Sequence, residues 1–308
     1  MSESANFLKI VDNPSLSQKA KRKYIHKKFK NHKPLNVLSL GCGVQSSAIY
    51  FLSHYGLLPQ LDFCVFADTG NEKNHTMEYL DFLLDFQKKN NSAPIFVASY
   101  KNLYDELFLD AGRKSGSIPA FTKNINGAVG MLRRQCTVNY KIRVVNKVIR
   151  EQQGIKPGFS TPPTIIWIGI SLDEKDRMSA PLDSWKTHYY PLISYSATSN
   201  KFFKNSTKIY YTRLDCINFL KVFNLLVPDK SSCKICPYMS DSEWSQLKEN
   251  DLDGFNSSVL LDEKIRNSTA KGVNNPIFLH RSCKPLSSIK FEKNSLFNFG
   301  NCTGYCQL

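Results

Sequence analysis

The chain has 308 residues, and its 41 Lys and Arg against 26 Asp and Glu give a formal charge of +15. Hydrophobic residues are 42% and aromatic residues 12%, enough to build a core and too many for a disordered chain. The best apolar run, Ile165-Ile166-Trp167-Ile168-Gly169-Ile170, has strand length and not the ~18–20 residues of a membrane helix, and the charged N-terminus lacks the apolar stretch of a secretory signal.

Residues 1–33 differ from the rest. Lys19 to Lys33 holds eight Lys or Arg, two His and no acid. Such a segment reads either as a basic arm gripping DNA or RNA phosphates or as a solvated tail or short surface helix. After Pro34 the pattern becomes βα. Asn36–Leu40 reads as a strand, a glycine-rich turn follows, and apolar periodicity predicts a helix from about Gln45 to Tyr55. A strand over Asp62–Ala67, a helix over Asn74–Lys88, a strand over Ala93–Ser99 and a helix near Leu103–Ala111 come next. Residues 113–130, rich in Gly, Lys and Ser, read as a long functional or mobile loop. A helix over Asn139–Gln152 and a strand over Thr164–Ile170 complete the alternation. It implies an α/β fold with a parallel sheet covered on both faces and ligands at the carboxyl ends of the strands. The last third reads as more helical, with capping boxes at Thr212-x-x-Asp215 and Ser240-x-x-Glu243.

Nine cysteines lie at 42, 64, 136, 216, 233, 236, 283, 302 and 306. An odd number in a large basic chain fits reduced cytoplasmic thiols, some of them metal ligands or reactive groups, better than a disulfide scaffold. Cys233-x-x-Cys236-Pro237 has a spacing that lets two thiolates reach one metal, or form a redox pair, or remain two ordinary thiols. Packing accounts for Cys64 in its apolar strand.

Between the first strand and helix lies Leu38-Ser39-Leu40-Gly41-Cys42-Gly43-Val44-Gln45-Ser46-Ser47. Glycines let backbone approach a phosphate, and a helix N-terminus offers N–H groups and partial positive charge. The second strand ends in Asp68-Thr69-Gly70, beside that turn. This pairing resembles the PP-loop (adenine nucleotide alpha hydrolase) superfamily, and within it the phosphoadenosine phosphosulfate (PAPS) reductase-like branch. Further motifs of the branch follow in order: Arg134-x-Cys136-Thr137 with Tyr140-Lys141, then Gly169-Ile170-Ser171-x-Asp173-Glu174-x-x-Arg177, Tyr190-Pro191-Leu192-Ile193, and Ser232-Cys233-x-x-Cys236-Pro237. The likeness spans about residues 35–240, with a looser match at His280-Arg281-Ser282 and in the cysteine-containing C-terminus.

The resemblance implies a Rossmann-like domain over 34–200, preceded by the basic arm and followed by a helical, Cys-containing region over 201–308 on the same core. It implies an adenine nucleotide, ATP or PAPS, held by Ser39, Gly41, Gly43, Gln45, Ser46, Ser47, Asp68, Thr69, Gly70, Gly169 and Ser171. Asp173, Glu174 and Arg177 would line the phosphate or sulfate side, the carboxylates orienting basic groups or Mg2+. Cys136 stands where branch members with a cluster have adjacent cysteines. The second of these is Thr137 here, and Cys216 is the candidate replacement. Cys136, Cys216, Cys233 and Cys236 would then hold an iron–sulfur cluster of the 4Fe-4S kind, with zinc the alternative. Cys302 or Cys306 would supply a C-terminal nucleophile, and a sulfur donor or partner subunit is implied.

One departure bears on the reaction. Where the family signature reads SGGxDS, this chain has Gly41 for the leading Ser and Gln45 for the Asp. Gln45 resembles the sulfonucleotide reductases, whereas Ser46-Ser47 resembles the ATP-using members. The expected activity is cleavage of ATP at the α phosphate to adenylate an acceptor, plausibly nucleic acid, for sulfur transfer. The alternatives are reduction of PAPS or its unphosphorylated relative, and nucleotide sensing on nucleic acid without turnover.

Overall fold

Apolar strands buried on both sides organise the chain. In the computed structural model, residues 33–156, 159–196, 209–268, 270 and 272–291 are described. β1 (Leu35–Leu40) leads into α1 (Val44–His54), β2 (Phe63–Asp68) into α2 (Asn74–Asn90), and β3 (Ile95–Ser99) into α3 (Leu103–Leu109). A short helical turn at Ala111–Lys114 precedes β4 (Phe121–Lys123) and β5 (Val129–Met131). A π-helical turn, Thr137–Ile142, runs into α4 (Arg143–Gln152), and β6 (Thr164–Trp167), β7 (Lys186–Tyr190) and β8 (Tyr195–Ser196) follow. The last part holds α5 (Arg213–Val222), α6 (Asp241–Asn250), α7 (Leu252–Ile265) and β9 (Ile277–Phe278).

The main sheet has the order β3-β2-β1-β6-β7-β8. Its first five strands are parallel, with Val37 of β1 opposite both Phe63 and Ile166, and β8 is an antiparallel edge. This is an α/β fold with helices on both faces, and near-continuous burial along β2 and β6 is what such a position demands. On one face Leu38, Leu40, Phe66 and Trp167 pack against α1, α2 and α5. On the other, Val37, Val65, Ile166 and Ile168 pack against Val144, Val145, Val148 and Ile149 of α4. A third cluster joins α3, α6, α7 and β9 around Trp244, Phe255 and Leu261. Fully buried Asp262 holds β9 to α7: it accepts from the Leu279 and Leu286 amides at 2.8 and 3.0 Å and pairs with Arg266.

The chain runs outward from β1 to β3, then returns to place β6 on β1's other side. That reversal opens a crevice at the carboxyl ends of β1 and β6. Both expected capping boxes form. The expected loop over 113–130 is instead a helical turn and an antiparallel ribbon, because β4 gains a partner, β9, some 150 residues away. The ladder of β6 ends at Trp167, short of Ile170. The basic arm over 1–33, apart from Lys33, lies outside the described residues, as do Cys302 and Cys306. No helix among the described residues is long and apolar enough to cross a membrane.

Candidate functional site

The turn after β1 is tied to itself. Gly41 N donates to Ser46 Oγ at 3.3 Å, and that hydroxyl donates to Gly43 O at 3.1 Å. Cys42 sits buried at φ +53°, a left-handed conformation uncommon outside glycine. Gly43 caps α1 without a side-chain bond, so the helix opens on bare amides. Gly169 passes so close that a Cβ on it would stand 2.7 Å from Ser46 N. Only glycine fits there.

Gln45, nearly buried, is the hub of a polar network. Its Nε2 donates to Glu174 Oε2 at 2.9 Å and Ser171 Oγ at 3.4 Å, and its Oε1 accepts from Arg213 at 3.3 Å. Glu174 also pairs with Arg177 at 2.6 Å, leaving Arg177 Nε buried without a partner among the described residues. Asp173 accepts from the Arg213 amide at 3.1 Å and so caps α5. Ser171, Asp173, Glu174 and Arg177 are thus gathered around Gln45. Sequence reasoning missed Arg213, whose only signal is its place after the Thr212 cap.

At the end of β2 the chain turns toward the Cys-x-x-Cys segment. Asp68 Oδ1 accepts from the Gly70 amide at 2.7 Å. Glu72 bridges backbone to Cys233, while Lys73 N donates to Ser232 O and Lys234 N to Asn71 O. Thr69 Oγ1 donates to Glu72 Oε1 at 2.9 Å and lies 3.1 Å from Cys233 Sγ. Thr69, one of the expected nucleotide contacts, thus stands beside the Cys233 thiol. Lys141 reaches Glu72 at 3.8 Å. Cys136, Cys233 and Cys236 line one pocket with Arg134 and Lys141. Burial first, and then Glu72, push the Cys233 thiol well above its usual range, with Lys141 opposing; burial also raises Cys236. Burial disfavours the Lys141 charge, but Glu72 and Cys233 outweigh it and the ammonium is held above its ordinary range.

Of the four cysteines expected as ligands, Cys216 does not line the pocket shared by the other three. It is wholly buried in the sheet-facing cluster on α5, because Phe219 and Leu220 turn that helix face onto the core. Burial first, then Asp173, push its thiol up to about 12. Among the described residues no three potential ligands stand in metal-binding geometry. The donor set nevertheless fits an iron–sulfur group in kind. It offers three soft thiols, with two cations at hand to offset the charge of thiolate ligands.

On the α4 face of the sheet a second cavity, of about 440 Å³, opens beneath Ser39. That volume lies within the ~300–1,000 Å³ of small-molecule sites. Apolar Ile166 and Ile168 form its floor, and Lys141, Arg143, Lys186 and His188 bring cationic or titratable groups to it. His188 is held below its ordinary range by burial first, with Lys186 adding to that against the Ser179 carbonyl. Of the residues expected to bind nucleotide, Ser39 alone lines this cavity. Lys141 lines both the cavity and the thiol pocket. The Tyr140-Lys141 motif by itself assigns this lysine no role, since nothing local marks a side chain as shared between two pockets.

No family model matches the chain, and no curated protein matches it.

Proposed function

We propose that the chain is an adenine-nucleotide enzyme of sulfur transfer, a Rossmann-like PP-loop protein of the PAPS reductase-like kind. The observation that carries this reading is Lys141, a single residue lining both a nucleotide-sized cavity and the pocket of three cysteines. The nucleoside occupies the cavity beneath Ser39, and its phosphates run between the Gly41–Ser47 turn and Lys141. An acceptor oxygen attacks the α phosphorus, the bond to pyrophosphate breaks, and negative charge growing on the α-phosphoryl and leaving oxygens is met by the turn's amides, Lys141 and Arg177. A thiol or persulfide sulfur then displaces AMP from the adenylated acceptor. Glu174 supports ATP use, because it brings a carboxylate to the turn where Gln45 has none.

Cys136, Cys233 and Cys236 would hold an iron–sulfur group, which when bound supplies a redox-active or sulfur-activating centre. The chain's own part is to bury the thiols and to set Lys141 and Arg134 beside them.

A second reading, reduction of a sulfonucleotide, is favoured by the Gln45 amide, since a neutral side chain leaves the turn without its own metal-binding carboxylate. One experiment separates them. Anaerobic protein is incubated with Mg2+ and α-labelled ATP, or with sulfur-labelled PAPS, with and without nucleic acid. AMP from ATP, lost in Lys141→Met and Ser46→Ala, supports the first reading, and sulfite from PAPS supports the second. Neither product, with no nucleotide bound at equilibrium, rejects both.

A further inference from the structure

From Ala111 to Arg150 the sequence holds nine Lys or Arg and not one Asp or Glu. The fold folds this stretch back on the candidate site. It supplies Arg134, Cys136, Thr137 and Lys141 to the thiol pocket, and Lys141, Arg143 and Asn146 to the cavity. Between its ends the β4–β5 ribbon projects from the molecule. Every residue from Lys123 to Met131 is exposed, and the tip residue, Ile125, is 97% exposed.

Single exposed apolar residues are ordinary, and Leu182 is another, but Ile125 stands at the tip of a turn whose shape is fixed by its own hydrogen bonds. Asn124 Oδ1 accepts from the amides of Asn126 and Ala128 at 3.0 and 2.8 Å, and Asn124 N donates to Ala128 O at 3.0 Å. Gly127, at φ +82°, donates to Asn124 O and closes the turn. Val129 and Met131 are exposed along the outer strand, whose neighbours are small: Ala128 and Gly130. The result is a narrow, pre-set ribbon with an apolar point, Lys123 on one strand, and Arg133 and Arg134 where the other leaves it. Its two feet, Ile118-Pro119 and Arg134-Cys136, form walls of the thiol pocket.

We infer that the β4–β5 ribbon is a nucleic-acid contact: Lys123 and Arg133 engage backbone phosphates, and Ile125 wedges against stacked bases, holding the strand over the thiol pocket. Arg113, Lys141 and Lys147 of that stretch pair with Asp110, Glu72 and Glu151, whereas Lys123 and Arg133 stand exposed beside the tip, where cations select a polyanion. A polyanion that also takes an apolar wedge on a two-stranded ribbon is a stacked nucleic acid. The inference deepens the proposed function by naming the acceptor class and the surface that presents it. It stands or falls on binding, apart from turnover.

The test is fluorescence anisotropy with the full-length protein and labelled 30-nucleotide probes of one mixed sequence: single-stranded DNA, duplex DNA and single-stranded RNA. Titrations are run from about 50 to 200 mM salt, and ATP binding is measured in parallel. Lys123→Gln with Arg133→Gln should weaken binding at least tenfold on the preferred probe, and should flatten the salt dependence by ~0.9 per lost phosphate contact on duplex or ~0.7 on single strand. Ile125→Ser should weaken it about fivefold with the salt slope unchanged. A photo-crosslinking residue at position 125 should label the probe. All variants should keep the wild-type Tm and ATP affinity, since the substituted positions are exposed. Nucleic-acid affinities unchanged in these variants, or no crosslink from position 125, overturn the inference and assign any binding to other basic segments. Loss of nucleic-acid binding in a protein that never binds ATP keeps the ribbon and rejects the nucleotide reading.

Discussion

A Cβ on Gly169 would meet the backbone nitrogen of Ser46 at 2.7 Å, so β6 leaves the sheet pressed against the first turn of α1. Backbone cannot yield as the end of a side chain can. Gly169→Ala should therefore push the turn aside, costing about 1–3 kcal/mol as an overpacked contact. Thermal melts should show the loss, and equilibrium titration should show at least tenfold weaker ATP or PAPS binding. Wild-type values for both would place the nucleotide away from this turn.

Glu72 faces Cys233 and Lys141 together, at 3.8 Å from each by its Oε1. Glu72→Gln removes the negative charge that helps raise the Cys233 thiol. The thiol's pKa should fall, and the pH profile of its iodoacetamide alkylation in metal-free protein, followed by mass spectrometry, should move to lower pH. A profile displaced upward, or not at all, would mean that burial alone sets this thiol.

If the thiol pocket holds the metal, removing its cysteines must differ from removing Cys216. Protein purified anaerobically should lose its iron in Cys233→Ser and Cys236→Ser, and most of it in Cys136→Ser. Cys216→Ala should keep its iron and lose only stability, as expected of a small hole in the core. Iron lost from Cys216→Ala with its fold intact would restore the four-cysteine set.

His188 and His280 are both held below the ordinary imidazole range, burial being the first cause in each. Both stay neutral in the folded protein at pH values where the unfolded chain takes up protons, from about 6.5 downward. Their contribution to stability is complete above that pH and is lost as pH falls. The melting temperature should drop between pH 7 and pH 5, and His188→Asn should shallow the drop. A flat Tm across that interval would contradict the burial argument.

What was legible in the sequence was what is decided locally. β1, β2 and their helices carry their own periodicity, and Thr212 and Ser240 find their cap partners three residues on. The gathering of Ser171, Glu174 and Arg177 about the turn followed from motif order. That Cys216 faces the sheet and not the thiol pocket was not legible, because a position at a helix start says nothing of the helix's azimuth, which Phe219 and Leu220 settle by packing on α1. The β4–β5 ribbon was hidden for a related reason. Its strands are only three residues long, and β4 holds between β5 and Ile277-Phe278 of β9, which arrive from far along the chain. The closeness of Thr69 to Cys233, 3.1 Å across 164 residues of sequence, has no local signal at all.

The double exposure of Lys141 makes the two chambers thermodynamically reciprocal. Cys233 is ionised more readily while that ammonium is near, and less readily when only Glu72 remains. An anionic phosphate that draws the ammonium into the cavity withdraws it from the thiol, which then holds its proton more tightly. On the proposed reading, by the same linkage, an ionised thiol would keep the ammonium home and weaken a nucleotide's hold by an equal factor. On that reading, filling one chamber and charging the other would compete for a single side chain.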